Sequence, residues 1–275
     1  MAIPPAIFDR LDPPMRKRKL SDLAALGLLC YVLKSGVSWR HLHVKECGFS
    51  AVYKRFQSWS DRGIIERAWA ELTSLYASCR LASDPLWFKD LFIDTTMVKN
   101  VGGVDGLGKN PTDRGRMATK MSVVVDNAMI PVCCEFFPAN VNDAVTAVKT
   151  IDGICCDIRR DGRYSNIVIG DKGYVSKHIE NALRDRNMRL LTPHKSNCKR
   201  PKRFSTADKS RLKRRHKVEN LFSRLDKFKK IHCRHEKNLA SYKAFTLFGM
   251  ILLVATVKLP CADHCKVCAI AKNPH

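Results

Sequence analysis

The sequence predicts a mixed α/β protein, in which a mixed sheet flanked by helices follows an all-helical N-terminal segment. Three observations support this fold class. The first eighty residues repeat apolar side chains at helical spacing, short apolar runs begin after Leu86, and a basic helical stretch extends from Ser205 to Leu259. Such a change of period from helical to strand-like is typical of a sheet with helices packed against it. The domains expected from it are 1–85, 86–259 and a C-terminal tail, 260–275.

The N-terminal segment reads as short helices separated by turns that contain glycine. Ser21 can cap a helix that runs to Gly36, and a later helical pattern is interrupted at Gly63. Lys54 and Arg55 stand beside an aromatic stripe in the second of these helices. This arrangement favours a helix-turn-helix domain that binds DNA through Lys54 and Arg55, although a plain helical bundle has the same pattern.

The charge of the chain points to a polyanionic partner. Lys and Arg number 49 against 26 Asp and Glu, which gives a formal net charge of +23 and a pI near 9.8. An anionic membrane is disfavoured, because the longest uncharged run, Ala244–Val257, falls short of the roughly 20 residues that a spanning helix needs. The basic run Arg16–Lys19 resembles the start of a signal peptide, but Asp22 interrupts the apolar stretch after it. We therefore expect a cytoplasmic protein with nucleic acid as its partner and no membrane contact.

Two acidic residues follow predicted strands directly. The apolar runs that we interpret as strands are Leu91–Ile93, Met121–Val125, Pro131–Phe137, Asn166–Ile169 and Arg189–Leu191, with a helix over Asn142–Ile158 as a crossover. Asp94 ends the first run, and Asp171 follows the fourth after one glycine. Strand ends open into the crevice where α/β sheets bind ligands. Two carboxylates that meet there repel each other, and a divalent cation such as Mg²⁺ resolves the repulsion.

A third acid must come from the basic helical stretch, which offers few candidates. Between Lys209 and Lys230, only Glu219 and Asp226 interrupt the positive charge. Glu219 lies at the border of an apolar stripe, so it can face the edge of the sheet. The alternative is an ordinary ion pair between Glu219 and Arg215, one helical turn earlier.

Six stretches together carry a resemblance to a known family. They are LKSGVSWRHL at Leu33–Leu42, YKRFQSWSDRGI at Tyr53–Ile64, FIDTTMVK at Phe92–Lys99, DRGRMATK at Asp113–Lys120, VIGDKGY at Val168–Tyr174, and RRHKVENLFSRLDKFKKI at Arg214–Ile231. In this order the chain resembles the insertion-sequence DDE transposases, in the group typified by insertion sequence five. The resemblance extends from about Leu23 to Leu259.

This resemblance implies an RNase H-like catalytic domain over 86–259, with Asp94, Asp171 and Glu219 as its metal-binding acids. Arg215 matches the family arginine four positions before the glutamate. The implied activity is two-metal cleavage and strand transfer at the ends of an insertion sequence, without a covalent enzyme intermediate. The implied cofactor is Mg²⁺, for which Mn²⁺ could stand in.

The chain departs from the family pattern at two positions that are thought to hold DNA. Leu212 stands where the family has a tyrosine, and Asp226 where it has a lysine, for which Lys227 can substitute. These departures weaken the prediction of full activity more than the prediction of the fold.

The partner that the resemblance implies is double-stranded DNA, both the inverted-repeat ends of the element and the target. We expect Arg114, Arg116 and Lys120, in and beside a glycine-containing loop, to grip phosphates, in addition to Arg215 and Lys227. Because two ends must be paired, the family also implies a dimer or a higher assembly on DNA. There are two alternatives to an active transposase. One is an inactive DNA-binding remnant or regulator of transposition, and the other is a related RNase H-like nuclease.

The twelve cysteines do not indicate a disulfide framework, because they are scattered and no secretory signal accompanies them. The tail contains Cys261, His264, Cys265 and Cys268. Its C-x₃-C-x₂-C spacing resembles an iron–sulfur motif, but it stands at the wrong end of the chain for that role. There are two other interpretations of these residues, a zinc site formed by four closely spaced ligands and a disordered tail. We favour the disordered tail.

Overall fold

The computed structural model describes residues 5–13, 20–43, 48–156, 158, 166–195 and 203–257. The chain divides into two compact units. The first comprises Met1–Cys79, Lys99–Asp105 and Arg224–His275, and the second Arg80–Val98 and Gly106–Ser223. The domain boundaries that the sequence suggested, after residues 85 and 259, stay predictions. The cysteine-containing tail at 260–275 lies outside the described residues.

Helices and strands alternate through the middle of the chain. The helices are α1 (Pro5–Leu11), α2 (Asp22–Ser35), α3 (Phe49–Asp61), α4 (Ile64–Ser83), α5 (Asp143–Asp152), α6 (Lys177–Arg184), α7 (Thr206–Arg214), α8 (Val218–Leu225), α9 (Lys229–His232) and α10 (Leu239–Ala255). The strands are β1 (Asp90–Asn100), β2 (Gly108–Lys109), β3 (Met117–Val125), β4 (Pro131–Pro138), β5 (Asn166–Ile169), β6 (Met188–Leu191) and β7 (Cys233–Arg234).

The helix ends in the first unit follow from particular residues. The Ser21 side chain accepts a hydrogen bond from the Ala24 N–H at the start of α2, as the sequence predicted. Gly36 ends α2 in the left-handed conformation, with φ +71°, which a residue without a Cβ adopts freely. Gly63, with φ +63°, makes the short turn between α3 and α4.

Aromatic side chains form the core of the first unit. The rings of Phe56 on α3 and Phe245 on α10 stack with their centroids 4.2 Å apart, and Trp39 packs beside both. The buried Trp59 indole donates a hydrogen bond of 2.8 Å to Asp12. This core joins the N-terminal helices to α10, which the sequence had assigned to the other domain.

The second unit contains a mixed sheet, as predicted. Strands β3 and β4 pair in antiparallel fashion, whereas β5 is parallel to both β1 and β6. The five longer strands therefore run in the order β4-β3-β1-β5-β6, with α5 packed against β3 and β4 and α6 against β6. β1 therefore lies between an antiparallel pair of strands and two parallel strands, in the mixed sheet that the sequence predicts.

Three predicted element boundaries were wrong. The first strand does not end before Asp94 but continues to Asn100, because β-branched residues such as Thr95 and Val98 favour the extended conformation. The crossover helix is shorter than Asn142–Ile158 and ends at Gly153. The basic stretch after Ser205 is broken into several helices, and β7 within it pairs with the last residues of β1.

Candidate functional site

Asp94 lies within β1, after three buried residues of that strand. The preceding residues Leu91, Phe92 and Ile93 are at most 1% exposed, so the backbone of β1 is held rigidly up to the acid. The Asp94 carboxylate is partly buried and accepts a hydrogen bond of 2.9 Å from the Thr95 N–H. A carboxylate on such a strand has little freedom to move, which suits a ligand or a catalytic group.

Asp171 lies at the corresponding point of the neighbouring strand. The parallel register pairs Phe92 of β1 with Ile169 of β5, and Asp94 and Asp171 each follow two residues later. Neighbouring strands are about 4.8 Å apart, so the two acids emerge side by side. Asp171 also caps a short 3₁₀ turn by accepting a hydrogen bond of 2.8 Å from the Gly173 N–H.

Glu219 belongs to a helical segment that arginines fasten to β1. The guanidinium groups of Arg211 and Arg214 bind the buried carboxylate of Asp90 at 2.8 and 2.5 Å. Arg215 lies 3.8 Å from Asp94, four residues further along the same strand. Glu219 follows in the first turn of α8 and is exposed. Three ionic contacts thus bring the segment that carries the third acid alongside the strand that carries the first.

The three predicted acids influence one another electrostatically. Burial raises the pKa of Asp94 from its ordinary 3.8 to about 6, against the lowering effects of the Thr95 N–H and Arg215. Asp171 and Glu219 both lie near enough for their charges to raise the pKa of Asp94 further. Desolvation and like charges both disfavour the Asp94 carboxylate, and a bound cation relieves both.

The chemistry of this donor set fits a hard divalent cation. Asp94, Asp171 and Glu219 offer only carboxylate oxygens, which Mg²⁺ and Mn²⁺ prefer. Within the described ranges, no three His, Cys, Asp or Glu side chains are arranged as a closed set of metal ligands. Mg²⁺ does not need a closed set, because it is commonly held by one or two carboxylates together with water and substrate phosphates.

A second group of polar residues stands beside these acids, and the sequence analysis missed its arrangement. The Lys120 ammonium is buried and binds Asp143 at 2.7 Å and the Val141 carbonyl at 2.6 Å. The Lys120 ammonium is therefore bound by protein groups, and its predicted contact with DNA stays a prediction. There was little sign of this burial in the sequence, because the predicted strand began at Met121, whereas β3 begins at Met117 and includes Lys120.

The other predicted DNA-contacting residues differ in exposure. Arg55 is paired with Asp22 inside the first unit and contacts the Trp59 ring, so its guanidinium is already bound by protein groups. Lys54 and Lys227 are exposed, and their DNA contacts stay predictions.

Arg114 and Arg116 are exposed in the loop before β3, in keeping with the expected phosphate contacts, which are likewise untested. Arg114 and Gly115 both have positive φ, at 50° and 72°, and make a tight turn that projects the neighbouring side chains.

A basic cleft on the second unit is lined by β6, the segment after it and residues of α6. It has a volume of about 690 Å³, and Val175, four residues after Asp171, forms part of its wall. His194 and Phe204 stack there with their centroids 4.4 Å apart. Of the exposed cations of the cleft wall, Arg189 is paired with Asp208, and the other three are Arg184, Lys195 and Arg203. None of the three is paired with an acid that the structure describes, so their charge remains open to an anionic ligand.

Two further acids that could have replaced a member of the predicted set lie elsewhere. Asp126 is fully buried in the turn between β3 and β4, where its carboxylate accepts hydrogen bonds from the Trp87 indole and the N–H groups of Ala128 and Ile130. Asp226 is exposed and stands 3.3 Å from His232. Asp126 therefore has a structural role.

The described cysteines form no disulfide with one another, in keeping with reduced thiols. The cluster of Cys261, His264, Cys265 and Cys268 lies outside the described residues. Among the helices that the structure describes, none combines the length and apolarity required to cross a membrane.

Comparison with known proteins identifies relatives of this chain. A family model described as "Transposase DDE domain" matches residues 89–254. The putative transposase for insertion sequence element IS402 of Burkholderia cepacia is 30% identical over 149 residues, which cover 53% of this chain and 67% of that protein. The putative transposase for insertion sequence element IS6501 of Brucella ovis is 28% identical over 131 residues, covering 47% of this chain and 92% of that protein.

Similar solved structures include the catalytic domain of Mos1 mariner transposase. It is 12% identical with a TM-score of 0.30, and the match covers 58% of this chain and 91% of that one.

Proposed function

We infer the function of this chain from the fact that it belongs to the Transposase DDE domain family. We propose that Asp94, Asp171 and Glu219 are the catalytic acids of this DNA transposase. The observation that carries the proposal is the register of β1 and β5, in which Asp94 and Asp171 each follow two residues after the paired residues Phe92 and Ile169. Support for Glu219 comes from the arginine contacts that fasten its helical segment to β1. The membership of this chain in the group typified by insertion sequence five stays a prediction.

The family implies dependence on a divalent metal, and we propose Mg²⁺, with Mn²⁺ as a substitute. When bound, such ions activate the attacking oxygen and stabilise the leaving oxygen of a phosphodiester. Asp94, Asp171 and Glu219 would hold the cation through their carboxylate oxygens. Arg215, beside Asp94, balances part of the negative charge and keeps that carboxylate oriented in the absence of substrate.

The reaction that suits this site has two stages. Water first attacks the phosphodiester at the end of the element and frees a 3′-hydroxyl, and this hydroxyl then attacks the target strand. Neither stage requires a covalent bond to the protein, because the carboxylates act as ligands and not as nucleophiles. One site can therefore carry out both cleavage and strand transfer at the ends of an insertion sequence.

The DNA partner would be bound mainly through its phosphates. A net charge of +23 favours strong, salt-sensitive attraction to DNA. The basic cleft supplies three exposed cations, Arg184, Lys195 and Arg203, and Arg114 and Arg116 add two more on the same unit. We propose that these residues hold the strand that is cut, while the N-terminal helices select the ends of the element.

Pairing of two ends would require a dimer or a higher assembly on DNA. A DNA substrate also supports the cytoplasmic location that the sequence predicts. An inactive remnant is disfavoured, because it would have no need of a pair of aligned strand acids.

The assignment is tested with a labelled duplex carrying the end of the element. In Mg²⁺, each of Asp94→Asn, Asp171→Asn and Glu219→Gln should abolish cleavage, since each keeps the shape of the side chain but removes a charge that holds the cation. Binding to the same duplex should persist, because the phosphate contacts come from other residues.

Asp226→Asn is the matched control, since it removes an exposed acid that has no assigned metal role. Full cleavage by any of the three variants, or loss of cleavage in the control alone, would refute the assignment.

A further inference from the structure

Asp143, the first residue of α5, stands beside the proposed catalytic acids although it comes from a different element. One of its carboxylate oxygens, Oδ1, accepts hydrogen bonds from Lys120 Nζ at 2.7 Å and from Thr95 Oγ1 at 3.4 Å. Thr95 directly follows Asp94 in β1 and donates its N–H to that carboxylate. Asp143 thus reaches Asp94 through a single intervening residue.

The other carboxylate oxygen of Asp143 faces the loop of Asp171. A Cβ placed on Gly173 would lie 3.0 Å from Asp171 Oδ1 and 3.4 Å from Asp143 Oδ2. These two oxygens therefore flank the same glycine and cannot be further apart than the sum of the two distances. A side chain at residue 173 would enter the space between them, so glycine keeps that space open.

The Tyr174 hydroxyl gives independent evidence that a polar group belongs in this space. Tyr174 is 1% exposed, and its hydroxyl lacks a hydrogen-bond partner in the described part of the chain. Burial raises the pKa of Tyr174, and the charges of Asp94, Asp143 and Asp171 raise it further, whereas the Thr95 side chain lowers it. A buried hydroxyl without a hydrogen-bond partner is costly unless water or a ligand completes its hydrogen bonding.

The plain alternative is that Lys120 and Asp143 form a structural ion pair between β3 and α5. Lys120 fits this reading, because it is only 4% exposed. Asp143 does not, since its side chain is 34% exposed and one of its oxygens faces the acid-lined space. A pair with a purely structural role would have no reason to present an oxygen there.

We propose that Asp143 is a fourth acid of the catalytic site, a positioning residue that holds Thr95 and Asp94 and adds negative charge beside the cation, with Lys120 as its fixed counter-ion. This inference rests on the proposed function, because it assumes a cation held by Asp94 and Asp171. It has a distinctive consequence. Removing Asp143 should weaken cation binding, whereas removing Lys120 should strengthen it, because the lysine repels the cation.

The test measures the binding of Mn²⁺ to the full-length protein by electron paramagnetic resonance, without DNA and therefore without turnover. Asp143→Asn should weaken binding by about tenfold, the range typical of residues that support metal ligands. Lys120→Met should strengthen binding several-fold. The double variant separates the two effects, because coupling in the pair appears as a departure from additivity.

The matched control is Asp152→Asn, which removes an acid from the other end of α5, where it binds Arg186. It should leave the affinity for Mn²⁺ unchanged. Thermal unfolding of each variant shows whether it is folded. If Asp143→Asn does not fold, Lys120→Met alone decides, and unchanged or weaker binding overturns the inference.

Other outcomes are equally decisive. If Asp143→Asn and Lys120→Met shift the affinity in the same direction, or if Asp143→Asn binds Mn²⁺ like the unmodified protein, the pair is only structural. Asp94→Asn distinguishes this failure from that of the proposed function. If Asp94→Asn also binds Mn²⁺ normally, the catalytic assignment itself fails, whereas loss of binding in Asp94→Asn alone overturns only the role of Asp143.

Discussion

Replacing Asp94 with asparagine should stabilise the second unit at neutral pH when no divalent cation is present. Burial raises the pKa of Asp94 from 3.8 to about 6, so the fold favours the protonated form. Between these two values the folded protein keeps a proton that the unfolded chain has released. Stability therefore falls as the pH rises through this window, and the whole penalty is present above about pH 6.

The size of the effect follows from the same two values. One pKa unit corresponds to roughly 1.4 kcal/mol, so the Asp94 charge costs up to about 3 kcal/mol at pH 7.5. Asn has nearly the same shape and no charge, so Asp94→Asn should recover most of this free energy. The contact with Arg215 is already included, because it lowers the pKa from a still higher value.

The assay is urea denaturation in EDTA at pH 7.5 and near pH 4, followed by hydrogen exchange of peptides from β1 and β5. These peptides report on the second unit separately from the first. We expect Asp94→Asn to be more stable than the unmodified protein by about 1–3 kcal/mol at pH 7.5, with the difference disappearing near pH 4. Adding Mg²⁺ should stabilise only the unmodified protein, since the cation favours the Asp94 carboxylate.

Asp226→Asn, which changes an exposed acid, should have little effect at either pH. A loss of stability in Asp94→Asn at pH 7.5, or a gain that persists at pH 4, would contradict the reasoning. It would mean that the Asp94 carboxylate is stabilised in the metal-free fold by partners such as Arg215, and that the acid is not held in readiness for a cation.

The remaining predictions concern DNA binding, the position of Glu219 and the buried hydroxyl. Lys195→Gln should weaken DNA binding and reduce the slope of log K against log salt by roughly 0.9, whereas Arg186→Gln, at a side chain already bound by Asp152, should leave the slope unchanged in fluorescence-anisotropy titrations. Asp90→Asn should destabilise the protein by about 3 kcal/mol in urea unfolding, because it releases Arg211 and Arg214. It should also slow cleavage, because these arginines hold the segment that carries Glu219. Undiminished cleavage would show that they do not position Glu219. Tyr174→Phe should keep its stability or gain up to about 1 kcal/mol in thermal unfolding, and a clear loss would reveal a partner for the hydroxyl.

The general architecture could be predicted from the sequence because it depends on local patterns. Apolar runs such as Asn166–Ile169 are too short and too continuous for a surface helix, and each became a strand of the sheet. The cap at Ser21 and the helix end at Gly36 follow from side-chain and backbone chemistry within a few residues. The confirmed elements are those whose stability is decided close by in the chain.

The length of β1 was not predicted, because Asp94 and the polar residues after it interrupt the apolar run, although Thr95 and Val98 favour the extended conformation. The polar residues lie beyond the pairing with β5, which ends at Phe92, and the last two of them, Lys99 and Asn100, pair with β7 from a distant part of the sequence. Polar side chains in a central strand lose hydration, and a fold retains them where a network or a ligand compensates.

The contact between Lys120 and Asp143 could not be predicted either, because local sequence patterns do not show which distant side chains meet. In the sequence, Lys120 belongs to a basic loop, and a basic residue in a protein of charge +23 is most simply read as a DNA contact. In the structure, its amine is buried against an acid 23 positions away in the chain, so its charge acts inside the protein. The raised pKa of Asp94 has a different cause, since it comes mainly from burial and to a smaller extent from the charges of Asp171 and Glu219. A bound cation would favour the Asp94 carboxylate against both effects.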